Sequence, residues 1–250
     1  MSEIATGDVD LLLTHGFYVL EDPKEREIMR PYPPLGLLYI HAYLTRAGLK
    51  AEVHDVTFKS KEDTLARLRA GRPSVLGIYT THMVRRHVTW IMREAKALGW
   101  TIVIGGPDGD NCAQEYLDHG ADVVGVGEGE QLMLELLEAL RDHGKHRLHG
   151  VAGVHFRDEQ GAIVRTGTRE KLPIDSLPWP SRDALNLPAY LDIWKTRHGE
   201  NSLNLITARG CPYTCKWCSH GVFGNSYRHR EVNNVVDELQ FLQQTYAPDQ

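Results

Sequence analysis

Long hydrophobic runs, strong net charge and a secretory N-terminus are all missing from this 250-residue sequence. No stretch of about 18 consecutive apolar residues occurs, so we expect no membrane span. Residues 1–10 contain neither the basic cluster nor the apolar core of a signal peptide, which predicts a cytoplasmic location. The net charge is only −5, from 28 basic and 33 acidic residues, and this argues against bulk affinity for nucleic acid or anionic membranes.

Cysteine is also scarce, and the four cysteines are unevenly placed. Three of them fall close together, at Cys211, Cys215 and Cys218. In a chain without secretory features, such crowding is typical of metal ligands and not of disulfide bonds. The fourth, Cys112, lies far from this group near a predicted helix start, and we expect it to be a small core residue.

Short apolar runs alternate with longer amphipathic stretches in the first part of the chain. The runs predict buried strands at Val9–Leu13, Ala51–Val56, Val75–Tyr79, Thr101–Ile104 and Asp122–Val126. The stretches between and after them predict helices at Leu35–Ala47, Glu62–Arg69, Val84–Leu98, Cys112–His119 and Glu130–His143. Continuously apolar strands that alternate with helices imply a parallel sheet covered on both faces. We therefore predict an α/β fold with a doubly wound, Rossmann-like or flavodoxin-like domain over residues 1–148.

The pattern changes after residue 148. Gly150–Phe156 and Ala162–Arg165 flank a turn sequence and predict a β-hairpin, and a proline-rich linker completes the segment 149–200. Leu203–Ala208 predicts a strand and Val232–Thr245 a helix, so residues 201–250 are expected to begin a second α/β domain. Because one βα unit cannot bury its own faces, we expect either a fragment of a longer protein or numbering that stops early.

The cysteine loop has the spacing C-x3-C-x2-C at Cys211, Cys215 and Cys218. Three thiolates on one tight loop can hold three irons of a [4Fe–4S] cube and leave the fourth iron open to a substrate. The alternative is a zinc site in which His220 completes a Cys3His set. The x3 spacing, the preceding apolar run and the α/β context favour the cluster.

At these residues the sequence resembles the radical S-adenosylmethionine superfamily. The resemblance implies that the three cysteines ligate the [4Fe–4S] cluster and that S-adenosylmethionine chelates the open iron through its amino and carboxylate groups. An electron from the cluster would then cleave the sulfonium to methionine and a 5′-deoxyadenosyl radical. The resemblance also implies that residues 201–250 begin the partial (β/α) barrel of this superfamily and that Trp217 lies near the adenine. It assigns no catalytic residue in this chain.

The first domain resembles the cobalamin (B12)-binding domain that precedes the barrel in one branch of this superfamily. The resemblance rests on three segments, at Pro33–Ile40, Gly105–Pro107 and Gly127–Glu130. Open α/β sheets bind ligands beyond the carboxyl ends of their strands. The expected cofactor-binding residues in those loops are Thr14, His15, Gly16, Asp55, Thr57, Thr80, Thr81, Gly105, Gly106, Gly127 and Glu128. The glycine-rich segments have a simpler alternative, as ordinary turns between a strand and a helix.

One expected cobalt ligand is missing. Classical cobalamin enzymes carry Asp-x-His-x-x-Gly after the second strand, whereas this chain has Asp55-Val56-Thr57 and lacks both the histidine and the glycine. His54 is therefore not assigned to cobalt, and the lower axial ligand stays open.

The resemblance implies a cobalamin-dependent radical S-adenosylmethionine enzyme, most simply a methyltransferase acting on an unactivated carbon or phosphorus centre. An anaerobic oxidative cyclase similar to the magnesium-protoporphyrin ester cyclase is the alternative. A non-catalytic cobalamin-binding sensor or carrier and a zinc module are further alternatives. Expected partners are a small-molecule or natural-product substrate and an electron donor such as flavodoxin or ferredoxin. The basic run Tyr227–Arg230 is expected to be a solvated face or an anion contact.

Overall fold

The computed structural model describes residues 9–72, 74–218 and 221–249, with the side chains of residues 142–146 left out of the description. A seven-stranded sheet forms its centre in the order β2-β1-β3-β4-β5-β6-β7. The strands are β1 Leu11–His15, β2 Ala51–His54, β3 Val75–Tyr79, β4 Thr101–Gly105, β5 Val123–Gly125, β6 Val154–Arg157 and β7 Ile163–Arg165. The first five are parallel in the flavodoxin-like order 2-1-3-4-5, which confirms the predicted doubly wound α/β fold.

Helices cover both faces of this sheet, and a small hairpin follows. The helices are α1 Pro23–Ile28, α2 Leu35–Arg46, α3 Lys61–Ala70, α4 Arg85–Ala97, α5 Pro107–Asn111, α6 Ala113–Asp118, α7 Gly129–His143, α8 Leu187–His198 and α9 Val232–Tyr246. The hairpin pairs β8 Ala208–Gly210 with β9 Tyr227–His229 in antiparallel register. No helix in the described ranges has both the length and the apolar composition that a membrane crossing needs.

Two hydrophobic cores lie on opposite faces of the sheet because successive side chains of a strand alternate in direction. Leu11 and Leu13 of β1 pack into the core beneath α2 and α7, whereas Leu12 packs into the core beneath α4. These three leucines are at most 2% exposed. Burial of one such side chain contributes about 1.5–3 kcal/mol, so the continuous apolar run of β1 stabilises both layers at once.

A side-chain cap fixes where α3 begins. At the start of α3 the Ser60 hydroxyl accepts a hydrogen bond from the Asp63 amide at 3.1 Å, and the Asp63 carboxylate accepts one from the Ser60 amide at 2.8 Å. This reciprocal capping box satisfies two amides that the helix cannot pair internally. Its position at the carboxyl side of β2 sets the length of the β2–α3 loop.

The structure corrects the expectations for the second half of the chain. The predicted hairpin is present as β6 and β7, but it extends the central sheet, with β6 antiparallel to β5. The strand predicted at Leu203–Ala208 is wrong, since residues 201–207 are irregular and only Ala208–Gly210 pairs with a neighbour. The linker contains a helix, α8, that had not been predicted and that ends at Gly199 with φ +81°.

Candidate functional site

A cleft with about 780 Å³ of empty space lies at the carboxyl ends of β3, β4 and β5. The amino-terminal turns of α2 and α7 form one wall, and residues on both sides of the cysteine loop form the rim. Seven glycines line the cleft: Gly36, Gly77, Gly105, Gly106, Gly125, Gly127 and Gly129. Most of the remaining lining is aliphatic, so the cleft suits a large, flat and largely apolar group with polar edges.

The glycines are required here for two different reasons. A Cβ at Gly36 or Gly105 would meet no atom within 4 Å, so the missing side chains leave open space along the cleft wall. Gly106 instead has φ +101°, and a Cβ there would lie 2.5 Å from the Thr80 carbonyl oxygen. Gly127 has φ +90° at the turn into α7. The backbone can therefore approach a ligand closely at β4 and turn sharply beside it.

Charged groups concentrate at the rim, where an arginine meets two glutamates. The Arg209 guanidinium donates to the Glu130 carboxylate at 2.6 Å and lies 3.5 Å from that of Glu128. It also packs over the Tyr39 ring, 4.9 Å from the ring centroid. Burial disfavours the charged form of Arg209, but the hydrogen bond and charge of Glu130, helped by Glu128, outweigh it and raise the arginine pKa. The guanidinium is therefore permanently charged at the cleft.

A second arginine joins the same cluster. Arg228 donates to Glu128 through one Nη and to the Leu172 carbonyl oxygen through the other at 2.6 Å. The sequence identified Glu128 as a cofactor residue, and the structure shows its carboxylate already engaged by two arginines. The acidic pair in Gly-Glu-Gly-Glu and the arginine before Cys211 are the sequence signals from which this pairing could have been sought.

The basic run Tyr227–Arg230 is not the expected solvated face. Arg230 is 7% exposed and donates to the Glu238 carboxylate at 2.5 Å, and Arg182 donates to the other oxygen of Glu238 at 2.6 Å. Both arginines of the run thus pair with carboxylates of the same chain. The expectation was wrong because each arginine has a partner distant in sequence or on the following helix.

The cysteine loop joins two segments that line the cleft. Cys211, Cys215 and Cys218 are free and exposed, and Trp217 is 89% exposed. The described residues contain no group of three or more His, Cys, Asp or Glu side chains arranged to hold a metal ion. His220, the fourth ligand of the zinc alternative, lies outside the described residues. Phe223, after the loop, and Arg209, before it, both line the cleft.

The polar residues after β1 and β2 lie in a separate buried network. The Phe17 amide donates to His15 Nδ1 at 3.1 Å, so Nε2 carries the proton and donates to Asp55 at 2.9 Å. The Tyr190 hydroxyl of α8 donates to the same carboxylate at 2.8 Å and lies 2.8 Å from the Thr57 hydroxyl. Burial raises the pKa of Asp55, but these hydrogen bonds and the nearby His15 lower the pKa by a larger amount. The carboxylate is therefore ionised.

The residues next to this network also make close contacts within the protein. The Thr14 hydroxyl donates to the His54 carbonyl oxygen at 2.8 Å, and a Cβ at Gly16 would lie 2.9 Å from a methyl group of Val88. These residues and the network they adjoin are absent from the cleft lining. Within the network, the contacts of Tyr190 with Asp55 and Thr57 fasten α8 to the loop after β2.

Thr80 and Thr81 also lie away from the cleft lining. The fully buried Thr80 hydroxyl lies 2.8 Å from the Tyr116 hydroxyl, which donates to Asp108 at 2.7 Å. Thr81 precedes a short 3-10 helix at His82–Val84. Of the predicted cofactor residues, the structure therefore brings together only four at the cleft: Gly105, Gly106, Gly127 and Glu128.

Several cleft residues had not been singled out in the sequence. Tyr79 ends β3 beside Gly106 and is partly exposed in the cleft, where burial raises the pKa of its hydroxyl. Phe223 contributes an aromatic ring from beyond the cysteine loop. Phe223 reaches the cleft only through tertiary folding, whereas the position of Tyr79 at the carboxyl end of β3 is a signal from which it could have been sought.

The B12 binding domain family matches residues 27–137. The uncharacterized methyltransferase PH0819 of Pyrococcus horikoshii is 28% identical over 240 residues, covering 91% of this chain and 49% of that protein. The anaerobic magnesium-protoporphyrin IX monomethyl ester cyclase of Synechocystis sp. is 28% identical over 240 residues, covering 90% and 44%. The chain thus spans about half the length of these relatives.

A solved structure shares the fold. The cobalamin-dependent S-adenosylmethionine radical enzyme OxsB with aqua-cobalamin bound matches with a TM-score of 0.73 and 20% identity, covering 96% of this chain and 32% of that one. Together these similarities confirm the resemblance to B12-binding radical S-adenosylmethionine enzymes that the motifs indicated.

Proposed function

We propose that this protein is a cobalamin-dependent radical S-adenosylmethionine enzyme, because residues 27–137 match the B12 binding domain family and the fold resembles that of such an enzyme. The observation that carries the proposal is the position of the glycine-lined cleft. It lies at the carboxyl edge of the matched sheet, and both flanks of the cysteine loop form its rim. One surface therefore serves both cofactors.

The cleft fits cobalamin by its shape and its lining. Open space at Gly36 and Gly105 allows a flat macrocycle to approach the backbone, and aliphatic side chains such as Ile104 and Leu132 exclude water from it. Bound cobalamin supplies methyl-transfer or redox chemistry that protein side chains lack. The residues of this chain bind it, orient it and shield it.

The cysteine loop fits an iron–sulfur cluster by its donor set and exposure. Three thiols without disulfide partners lie on one surface loop, and soft thiolates are the ligands that [4Fe–4S] clusters prefer. The cluster and S-adenosylmethionine supply the radical chemistry when bound. Trp217 is free to cover the adenine, and Arg209 keeps the start of the loop at the cleft.

We favour methyl transfer to an unactivated carbon or phosphorus centre of a small-molecule or natural-product substrate. Oxidative cyclisation is the second candidate, because a cyclase is among the similar proteins. Detection of a methylated product, as against an oxidised ring, separates the two reactions. An electron donor such as flavodoxin or ferredoxin would reduce the cluster.

Anaerobic reconstitution with iron and sulfide tests the cluster. We expect about four irons and four sulfides per chain, and their loss in the triple variant C211A/C215A/C218A. Cys112→Ala is the matched control and should retain the cluster, because Cys112 lies outside the cysteine loop and accepts a hydrogen bond from Arg85 at 3.0 Å. Stoichiometric zinc without sulfide would support the zinc module and overturn the enzyme proposal.

Titration with hydroxocobalamin, followed by visible absorbance, tests the cleft. Gly105→Leu should weaken binding at least about tenfold, because a Cβ there meets no protein atom within 4 Å and the new side chain would enter the open space at β4. Gly167→Leu is the control, since a Cβ at Gly167 would also meet no atom within 4 Å and Gly167 lies outside the cleft. Equal affinity in both variants would place cobalamin elsewhere. Corrinoid binding without iron and sulfide would support the carrier alternative.

A further inference from the structure

The two arms of the cysteine loop are joined by β8 and β9, and this short ladder contains an unfavourable pair. Arg209, two residues before Cys211, lies directly opposite Arg228, which follows Cys218. Like charges in directly opposed positions of an antiparallel ladder repel each other. Arg209 is also nearly buried, so water screens this repulsion poorly. A hairpin with three residue pairs cannot hold such a pair without a counter-charge.

The counter-charge comes from the loop between β5 and α7. Glu128 accepts from Arg228 and lies 3.5 Å from Arg209, and Glu130 accepts from Arg209 at 2.6 Å. Both carboxylates are at most 9% exposed. They also lie at the amino end of α7, where the helix dipole favours negative charge.

The same loop forms part of the cleft wall, since Gly127 to Glu130 all line it. A group bound in the cleft would contact this loop. The carboxylates of the same loop pair with the arginines on both arms of the cysteine hairpin. We propose that Glu128 and Glu130 are positioning residues that hold the cysteine loop over the cleft and thereby couple cobalamin binding to the order of the cluster-binding loop. The coupling rests on the function proposed above, whereas the anchoring of the hairpin does not.

Hydrogen–deuterium exchange on the full chain tests the anchoring without any cofactor. In Glu128→Gln the amides of β8 and β9 should exchange about tenfold faster than in the wild type, and those of β3 and β4 should not change. Glu135→Gln is the matched control, because it removes an ion pair with Arg169 from the same helix but touches neither arm of the loop. Unchanged exchange at β8 and β9 in E128Q would overturn the proposal.

A double variant guards against a general folding defect. E128Q/R228Q removes the repulsion together with the counter-charge, so its hairpin should exchange more slowly than that of E128Q. A double variant that exchanges as fast as E128Q, or faster, would show that the charge pairing is not what anchors the hairpin.

Coupling is tested by adding hydroxocobalamin. In the wild type and in E135Q it should slow exchange across residues 208–218 and 221–229 about tenfold, within the range typical of coupled sites. In E128Q at saturating cobalamin the slowing should be lost. Retention of full slowing in E128Q would overturn the coupling. If the wild type binds no cobalamin, the coupling and the proposed function both fail, and the cofactor-free exchange alone decides the anchoring.

Discussion

Replacing Glu238 with glutamine should destabilise the C-terminal part of the molecule by about 3 kcal/mol. Glu238 is fully buried and accepts from Arg182 at 2.6 Å and from Arg230 at 2.5 Å. Both guanidinium groups have side chains at most 4% exposed. Glutamine would leave two positive charges buried without a counter-charge, and breaking one buried pair costs about 3–5 kcal/mol.

We take the lower end of that range because each arginine keeps other partners. Arg182 still donates to the Asn204 carbonyl oxygen at 3.0 Å, and Arg230 still donates to the Ile206 carbonyl oxygen at 2.9 Å. A loss of about 3 kcal/mol is a large share of the roughly 5–15 kcal/mol that stabilises a typical domain. It should therefore produce a clear shift in a denaturation midpoint.

Urea denaturation followed by far-ultraviolet circular dichroism measures the effect. Glu94→Gln is the control, because Glu94 forms an ion pair with the exposed Arg93 and should change the free energy of unfolding by about 1 kcal/mol or less. A midpoint for E238Q that matches the wild type, or moves no further than that of E94Q, would refute the reasoning. Replacing Arg182 with Met, Glu238 with Leu and Arg230 with Met in one variant should recover stability, since no buried charge then remains unpaired.

Three further predictions concern His54, Tyr190 and Gly106. Burial lowers the pKa of His54 from 6.5 to about 4, so the unfolded chain binds more protons between these values and stability falls as pH falls. From pH 7 to 4.5 the wild type should lose about 2 kcal/mol more than His54→Leu in urea titrations. Tyr190→Phe removes the donor to buried Asp55 and should cost about 1–3 kcal/mol, whereas Tyr32→Phe, at an exposed position, should cost little by the same measurement. Gly106→Ala should lower the thermal midpoint more than Gly161→Ala, because both have positive φ but only the first would place a Cβ against a backbone oxygen; equal losses would contradict this.

The central sheet could be predicted because its signal is local. Strands such as Val75–Tyr79 are apolar on both faces, since helices cover both, and their boundaries match the structure closely. Helix α8 could not be predicted in this way. Its contacts are made by isolated side chains such as Tyr190 and Trp194, which hydrogen-bond to Asp55 and to the Pro31 carbonyl oxygen, so no apolar period marks it.

The same difference between local signals and long-range contacts applies to the candidate site. Gly105, Gly106 and Gly127 could be placed at the cleft because strand order alone brings the carboxyl ends of β3, β4 and β5 together. The side chains after β1 and β2 could not, because whether a hydroxyl or an imidazole is free for a ligand depends on partners such as Tyr190, which is 135 residues from Asp55.

Glu128 shows why side-chain roles are harder to predict than backbone roles. A glycine with positive φ is required by the conformation of its own turn, which the neighbouring sequence largely determines. A carboxylate at the same turn takes its role from whichever cation folding brings to it. Here the cation is Arg228, 100 residues away on the far arm of the cysteine loop. Arg209, which lies opposite Arg228 in the hairpin, pairs with Glu130 and Glu128. The Gly-Glu-Gly-Glu segment therefore joins the cleft to the cysteine loop.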